Sequence, residues 1–403
     1  RNAPDPTSLK PRDMSELLFL IKKAHGLGAK ELGETLRFWT MSIGDFLDEY
    51  FESDLIKAHI AGAGIIGTGL GVYSPGTAYV LLHHYMGDVD GAIGAWGFAR
   101  GGMGAISDAL GAAFTEAGGE IVMGSGVDQF VVKNGKITGV ALENGDEYHA
   151  PIVASNMDVK RTFLHHTDRA NLPDEFTKAV ERFKIRGSSA KLNIALDQLP
   201  SFPAVPKGAN FLRGDMHCST SLNELERAYD DWKDGRWSAD PYFDMLIPSQ
   251  IDPTMAPPGK HMMTVFVQYA PYDLEVDGVR SGENWTDATR KAFADCVYDK
   301  LEVACPDIRQ RVVHAEIRTP WDIEQEVGLT EGNIFQGELT FDQLLFNRPV
   351  PGYAQYDTPI GGMYIVGSST HPGGGVMAAP GANAAREILR NIGKAKSMPS
   401  FAS

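Results

Sequence analysis

Apolar positions recur at helical spacing from residue 13 to about residue 85, and small residues and prolines cut the pattern into pieces. Ser42, with Asp45 three residues on, has the form of a capping box and predicts a helix carrying Phe46, Leu47, Tyr50 and Phe51. Ser74-Pro75 reads as the N-cap and first residue of a helix bearing Tyr79, Leu82 and His83, closed by Gly87. A glycine-rich loop over 97–104 leads into a helix over 105–117, which Gly118-Gly119 stops. The period then changes to that of a strand. Runs over 120–123, 128–133, 137–143 and 147–155 alternate apolar and polar residues. Asn134-Gly135 and Asn144-Gly145 separate the last three, which predicts an antiparallel three-stranded meander, because Asn-Gly suits the left-handed type I′ turn.

Beyond the meander the pattern predicts a helix over 173–184, strands over 188–196, 244–248, 262–269 and 312–318, and a long helix over 284–304. That alternation fits a mixed sheet with helices packed on it. Near the C-terminus a buried strand over 362–367 is followed by a glycine-rich turn and a helix over 382–390. The predicted fold class is mixed α/β.

At 403 residues the chain has material for two or three packed units. Its formal charge of −15, with no cluster of Lys and Arg, excludes a nucleic-acid-binding role. No window approaches the roughly 18–20 apolar residues of a membrane span. Cys218, Cys296 and Cys305 form neither a CxxC nor a metal-ligand pattern, so no metal site is expected. Cys296 and Cys305 fall on one predicted helix about half a turn out of phase, which argues against a disulfide. The polar stretch opening at Arg1 is neither a signal nor a transit peptide, and the chain reads as intracellular with reduced thiols.

Two glycine motifs need separate judgement. Gly62-Ala-Gly64-Ile-Ile-Gly67 has the letters of a dinucleotide fingerprint, with Asp88 about 20 residues on. Such a motif must follow a buried strand and open a helix. Here the preceding residues, 53–60, read as a helix, and Pro75 blocks the helix that should follow. The reading is a small-residue packing segment. The second motif is the strand, turn and helix start from Met363 to Ala384. Glycines there let a ligand lie against the backbone, and a helix N-terminus offers free N–H groups and positive potential.

Thr370-His-Pro-Gly-Gly-Gly375 with Pro380-Gly-Ala-Asn-Ala384 resembles the C-terminal flavin motif of the phytoene-dehydrogenase-like FAD oxidoreductases. Tyr79-Val-Leu-Leu-His-His-Tyr-Met-Gly87, Gly94-Ala-Trp-Gly97, Gly101-Gly-Met-Gly104, Gly332-Asn-Ile-Phe335 and Arg348-Pro-Val-Pro351 resemble one branch of that family, over about 44–389. The resemblance implies FAD as cofactor and a fold of the amine-oxidase/phytoene-desaturase type. It also implies hydride removal from a small, apolar substrate, and a bacterial cytoplasmic or mitochondrial location. Its implied division is an FAD-binding domain over 98–155 and 356–392 and a substrate domain over 13–97 and 156–355, with tails over 1–12 and 393–403. The family's opening strand and G-x-G-x-x-G unit does not precede residue 13. The expectation is therefore an incomplete FAD-binding domain with weak flavin affinity, and an exposed apolar patch favouring a homo-oligomer or association with the missing segment.

By the same resemblance the cofactor-binding residues are Val127, Gly101, Gly102, Met103, Gly367, Ser368, Gly374, Gly375, Val376, Gly381, Ala382 and Asn383. Tyr79, His83 and Phe335 are expected in the substrate pocket. His371 is the leading catalytic candidate, either orienting substrate or the flavin ring, or acting only as a turn histidine bonded to backbone. Adjacent His83 and His84 diverge by about 100° on a helix, so at most one faces a given site. Two other readings stay open: a non-catalytic interaction or regulatory protein without flavin, and a flavin amine oxidase.

Overall fold

The alternating runs of the middle of the chain assemble into one five-stranded sheet. Val312–Arg318, Ser189–Leu196, His261–Gln268, Tyr242–Leu246 and Met216–His217 lie side by side in that order, and each neighbouring pair is antiparallel. This is the arrangement in a computed structural model, which describes residues 4–6, 8–206 and 211–393. The sheet is thus antiparallel where a mixed one was expected. Ala190, Leu192, Ile194, Phe243, Met245, Met263, Val265 and Val267 share one face and pack on Phe293, Val297 and Leu301 of the helix Asp287–Ala304. Each fully buried Val, Leu, Ile, Phe or Met among them contributes roughly 1.5–3 kcal/mol. Thr286 caps that helix by accepting the Thr289 N–H, which places its start two to three residues later than predicted. The opposite face is polar, with Lys191, Asn193, Asp244, Thr264 and Gln268.

The chain divides into two compact units. One comprises Arg1–Arg37, Met123–Arg186 and Gly328–Ser403, the other Phe38–Val122 and Gly187–Val327. Segments 156–186 and 328–355, grouped by role with the substrate side, are thus grouped by compactness with the meander. Packing explains the first: Val159, Phe163, Phe176 and Val180 share a core with Phe130 and Ile137 of the meander. The segment 98–122 falls in the sheet's unit. Its helix Gly104–Glu116 has no buried residue, and Ile106, Leu110 and Phe114 are exposed.

The meander is shorter than its letters suggest. Val127–Lys133, Lys136–Leu142 and Glu147–His149 form it, and 120–123 is irregular. Asn134 and Gly135 both have positive φ, as a type I′ turn requires, whereas at the second turn only Gly145 does. There Asn144 instead bonds Asp146 through its side chain. Pro151, with no N–H to give, ends the third strand. Val153–Ser155 then pairs in parallel with Met363–Ile365.

Ser42 does cap Ile43–Asp48, accepting the Asp45 N–H at 3.0 Å. The next predicted cap moves: the helix Thr77–Tyr85 begins after Gly76, whose φ of 88° a side chain would resist. Two further helices, Leu222–Lys233 and Pro320–Val327, were not anticipated. Gly62 ends the helix Asp54–Gly62 rather than opening one, and a Cβ on it would lie 1.8 Å from the Tyr242 hydroxyl oxygen. All three cysteines are free. Among the described residues no helix is long and apolar enough to cross a membrane, and no metal-binding cluster occurs.

Candidate functional site

The parallel strand pair sets up a cleft. After Val153–Ser155 and Met363–Ile365 the two chains leave the sheet side by side, bringing Asn156 next to Val366, Gly367 and Ser368. The turn that follows adds Gly373, Gly374, Gly375, Val376 and Met377, and the helix Ala379–Asn391 adds Pro380 and Gly381 from its first turn. Gln336 supplies the remaining side chain of note. The cleft measures about 270 Å³. Sites for drug-sized ligands hold roughly 300–1,000 Å³, so this one takes part of a cofactor as long as FAD.

Several bonds fix its shape. Ser369 Oγ donates to the Gln336 carbonyl at 2.6 Å and accepts the Val159 N–H at 3.1 Å. Thr370 Oγ1 donates to the Gly367 carbonyl at 2.8 Å. The central support is Arg348, whose side chain has no exposure. Its guanidinium donates to the carbonyls of Ser368, Glu338, Gln343, Phe335 and Gly337 at 2.8–3.3 Å. One cation therefore holds the 335–343 loop and the glycine turn together. Asn333 assists by accepting the Phe335 N–H at 2.9 Å and donating to the Arg186 carbonyl at 2.8 Å.

The residues present fit a flavin on three counts. The lining is mostly backbone, so a flat ring can approach closely. A Cβ on Gly381 would meet nothing within 4 Å, leaving the helix start open to a ligand. The Gln336 Oε1 atom is buried without a hydrogen-bond partner, an acceptor suited to an N–H such as a flavin pyrimidine ring carries.

Of the residues expected to contact cofactor, the cleft brings together Gly367, Ser368, Gly374, Gly375, Val376 and Gly381. Ala382 and Asn383 lie one step along the helix, outside the lining; Asn383 Oδ1 accepts from Arg386 at 2.9 Å. Phe335 is buried behind Gly374, where an added Cβ would lie 3.0 Å from its ring. His371 is also outside the lining, its carbonyl accepting the Tyr356 hydroxyl at 2.7 Å. Burial, with the Arg348 charge adding to it, lowers its imidazole to about 4, so it is neutral at physiological pH. Val127 starts the first meander strand opposite Leu142, and the neighbouring Gly126 runs against the Glu143 carboxylate.

Gly101, Gly102, Met103, Tyr79 and His83 belong to the other unit. Gly101 and Gly102 both have positive φ, and the Gly101 N–H donates to Asp252 Oδ2 at 2.6 Å. Met103 is exposed, Tyr79 stacks edge-on against Trp39, and His83 is buried. Sequence reasoning did not find Asn156, Gln336 or Arg348. The signal was present for two of them, since Arg348 opens one family-like stretch and Gln336 directly follows another.

No family model matches the chain. It is 38% identical over 388 residues to "Pyridine nucleotide-disulfide oxidoreductase domain-containing protein 2" of Rattus norvegicus, covering 94% of this chain and 66% of that protein. It is 26% identical over 348 residues to a lycopene-forming phytoene desaturase of Pseudescherichia vulneris, covering 85% and 64%. The chain thus spans just under two thirds of the length of these relatives. An oxidoreductase structure from Methanosarcina mazei shares the fold, with a TM-score of 0.55 at 18% identity over 96% of this chain and 73% of that one. On these grounds the chain belongs to the phytoene-dehydrogenase-like oxidoreductases, on the branch of pyridine nucleotide-disulfide oxidoreductase domain-containing protein 2.

Proposed function

We propose that this chain acts as an FAD-dependent oxidoreductase that takes hydride from a largely apolar small molecule. The observation carrying this reading is the glycine-lined cleft at the start of the helix Ala379–Asn391, with the unpartnered Gln336 carbonyl in its wall. Bound there, a flavin supplies a two-electron acceptor for hydride leaving a C–H bond. The chain's own part is placement and electrostatics. Gln336 accepts a hydrogen bond from the ring, and the helix start favours negative charge nearby. Arg348 keeps the turn in place from behind. Val376 and Met377 put exposed apolar side chains at the rim, where an apolar substrate meets them. The neutral His371 contributes no charge there. The apolar substrate class rests on the relatives' names, and one fold hosts many chemistries.

The test is a visible absorption spectrum of the purified chain, followed by titration with FAD and recovery of the ligand after denaturation. Weak but saturable flavin binding, lost in Gln336→Leu, is the expected result. A chain that neither carries flavin nor takes it up at millimolar FAD would overturn the reading and favour a non-catalytic role.

A further inference from the structure

The helix Gly104–Glu116 has the sequence of a packed element and the exposure of a free one. At about 100° per residue, Ile106, Leu110, Ala113 and Phe114 fall on one face, with Asp108 and Thr115 opposite. A helix patterned in this way normally lays its apolar face on a core. Here no residue of the helix is buried, and Ile106, Leu110 and Phe114 are 38%, 60% and 52% exposed. The chain then turns sharply. Gly118, at a φ of 87°, gives its N–H to the Thr115 carbonyl, and Gly119 gives its own to the Phe114 carbonyl, both at 2.9 Å. The turn sends the next residues back along the helix, where a Cβ on Gly111 would lie 3.6 Å from Ile121 Cδ1. Ile121 and Val122 are exposed as well. Glu120, Ile121 and Val122 have the letters of a strand, yet among the described residues their backbone groups bond no other backbone group. Helix, turn and extended segment all lie in one compact unit.

This order of parts is one piece of an α/β layer, in which the strand joins a sheet and the helix covers that sheet's face. An occupant must therefore offer an open strand edge and an apolar sheet face together. A bilayer offers no strand edge. Residues 101–132 also hold no Lys or Arg, while Asp108, Glu116 and Glu120 are acidic, so an anionic membrane repels the segment. A second copy brings only another such arm, and two chains of charge −15 repel. The relatives supply a better fit. The match takes in 66% of the rat protein, and the remaining third of its length is enough for an α/β domain.

We propose that this arm is the docking face for an α/β unit carried in the third of the rat relative's length outside the match. Residues 120–122 join the unit's sheet as an edge strand, and Ile106, Leu110 and Phe114 are buried on its face. The inference uses neither the cleft nor a flavin, so it stands or falls apart from the oxidoreductase reading.

Amide hydrogen exchange of this chain and of the whole rat relative, compared at matched residues, tests it. In this chain the amides of 120–122 should exchange as fast as those of an unfolded peptide. In the rat protein the matched amides should exchange at least about a hundredfold more slowly. Amides of the strand His261–Gln268, already paired here, should be slow in both. Leu110→Asp should leave the melting temperature of this chain unchanged, whereas Asp at the matched position should lower that of the rat protein by several degrees. Equal exchange at the arm in the two proteins would sink the idea. So would a large loss of melting temperature in this chain's own Leu110→Asp, which would mean the face is already packed. Slowing that appears as this chain is concentrated would assign the face to a second copy. Slowing on phosphatidylcholine–phosphatidylserine vesicles would assign it to a membrane; either result overturns the proposal.

Discussion

Gly62-Ala-Gly64-Ile-Ile-Gly67 and the turn running from Gly367 to Gly381 look alike in letters, yet their glycines make room for different things. At Gly62 the space is already filled, since a Cβ would lie 1.8 Å from the Tyr242 hydroxyl oxygen. At Gly64 it would lie 2.9 Å from the Ile43 side chain. Gly67, with a φ of 67°, gives its N–H to the buried Gln268 amide at 2.9 Å. These glycines let the protein pack against itself. In the C-terminal turn Gly367 and Gly374 are also pressed, by Asn156 and Phe335, but Gly381 faces open space at a helix start. A glycine pattern thus announces close approach without saying whether a side chain or a ligand approaches.

Four substitutions test the contrast. The largest effect is expected at Arg348, because the glycine turn is held open from behind by its five carbonyl contacts. Arg348→Leu leaves buried carbonyls unpaired and should cost about 3–5 kcal/mol, read from the urea midpoint. A loss under about 1 kcal/mol would mean the loop holds itself. Next comes a matched pair. Gly62→Ala should lose about 1–3 kcal/mol by overpacking against a ring that cannot move. Gly381→Ala should hold or gain up to about 1 kcal/mol, because alanine favours a helix. Equal effects at the two glycines would erase the distinction. The smallest difference is confined to acid. His371 is lowered from 6.5 to about 4 in the folded chain, so the unfolded chain binds its proton first. Stability it contributes is intact above about pH 7 and is lost as pH falls from 6.5 toward 4. His371→Gln should therefore narrow the acid-side drop in the urea midpoint and leave neutral pH unchanged.

Legibility in the sequence followed how local each determinant was. The long helix ending at Ala304, four of the five strands of the central sheet and the Asn134-Gly135 turn depend on residues a few positions apart and were read from the sequence, whereas the two-residue strand Met216–His217 is too short to show a period. The false fingerprint was rejected on its neighbours alone, and the helix ending at Gly62 agrees. The strand Val153–Ser155 was misjoined to the meander because its partner lies near the other end of the chain. Half of the candidate cleft was readable from Gly367 to Gly381. The other half was not, since Asn156, Gln336 and Arg348 arrive from separate segments and only packing brings them to one place.

The parallel pairing of Val153–Ser155 with Met363–Ile365 also sets an order of events during synthesis. Its partners are some two hundred residues apart, and the intervening chain contains the whole five-stranded sheet. Closing so long a loop earns no reward until both ends are present, which makes such contacts slow to form. The sheet's unit can collapse on its own core before the segment from Gly328 onward has left the ribosome. The cleft forms only once the chain through Gly381 has emerged, and a stop between residues 327 and 363 would leave a folded sheet without it.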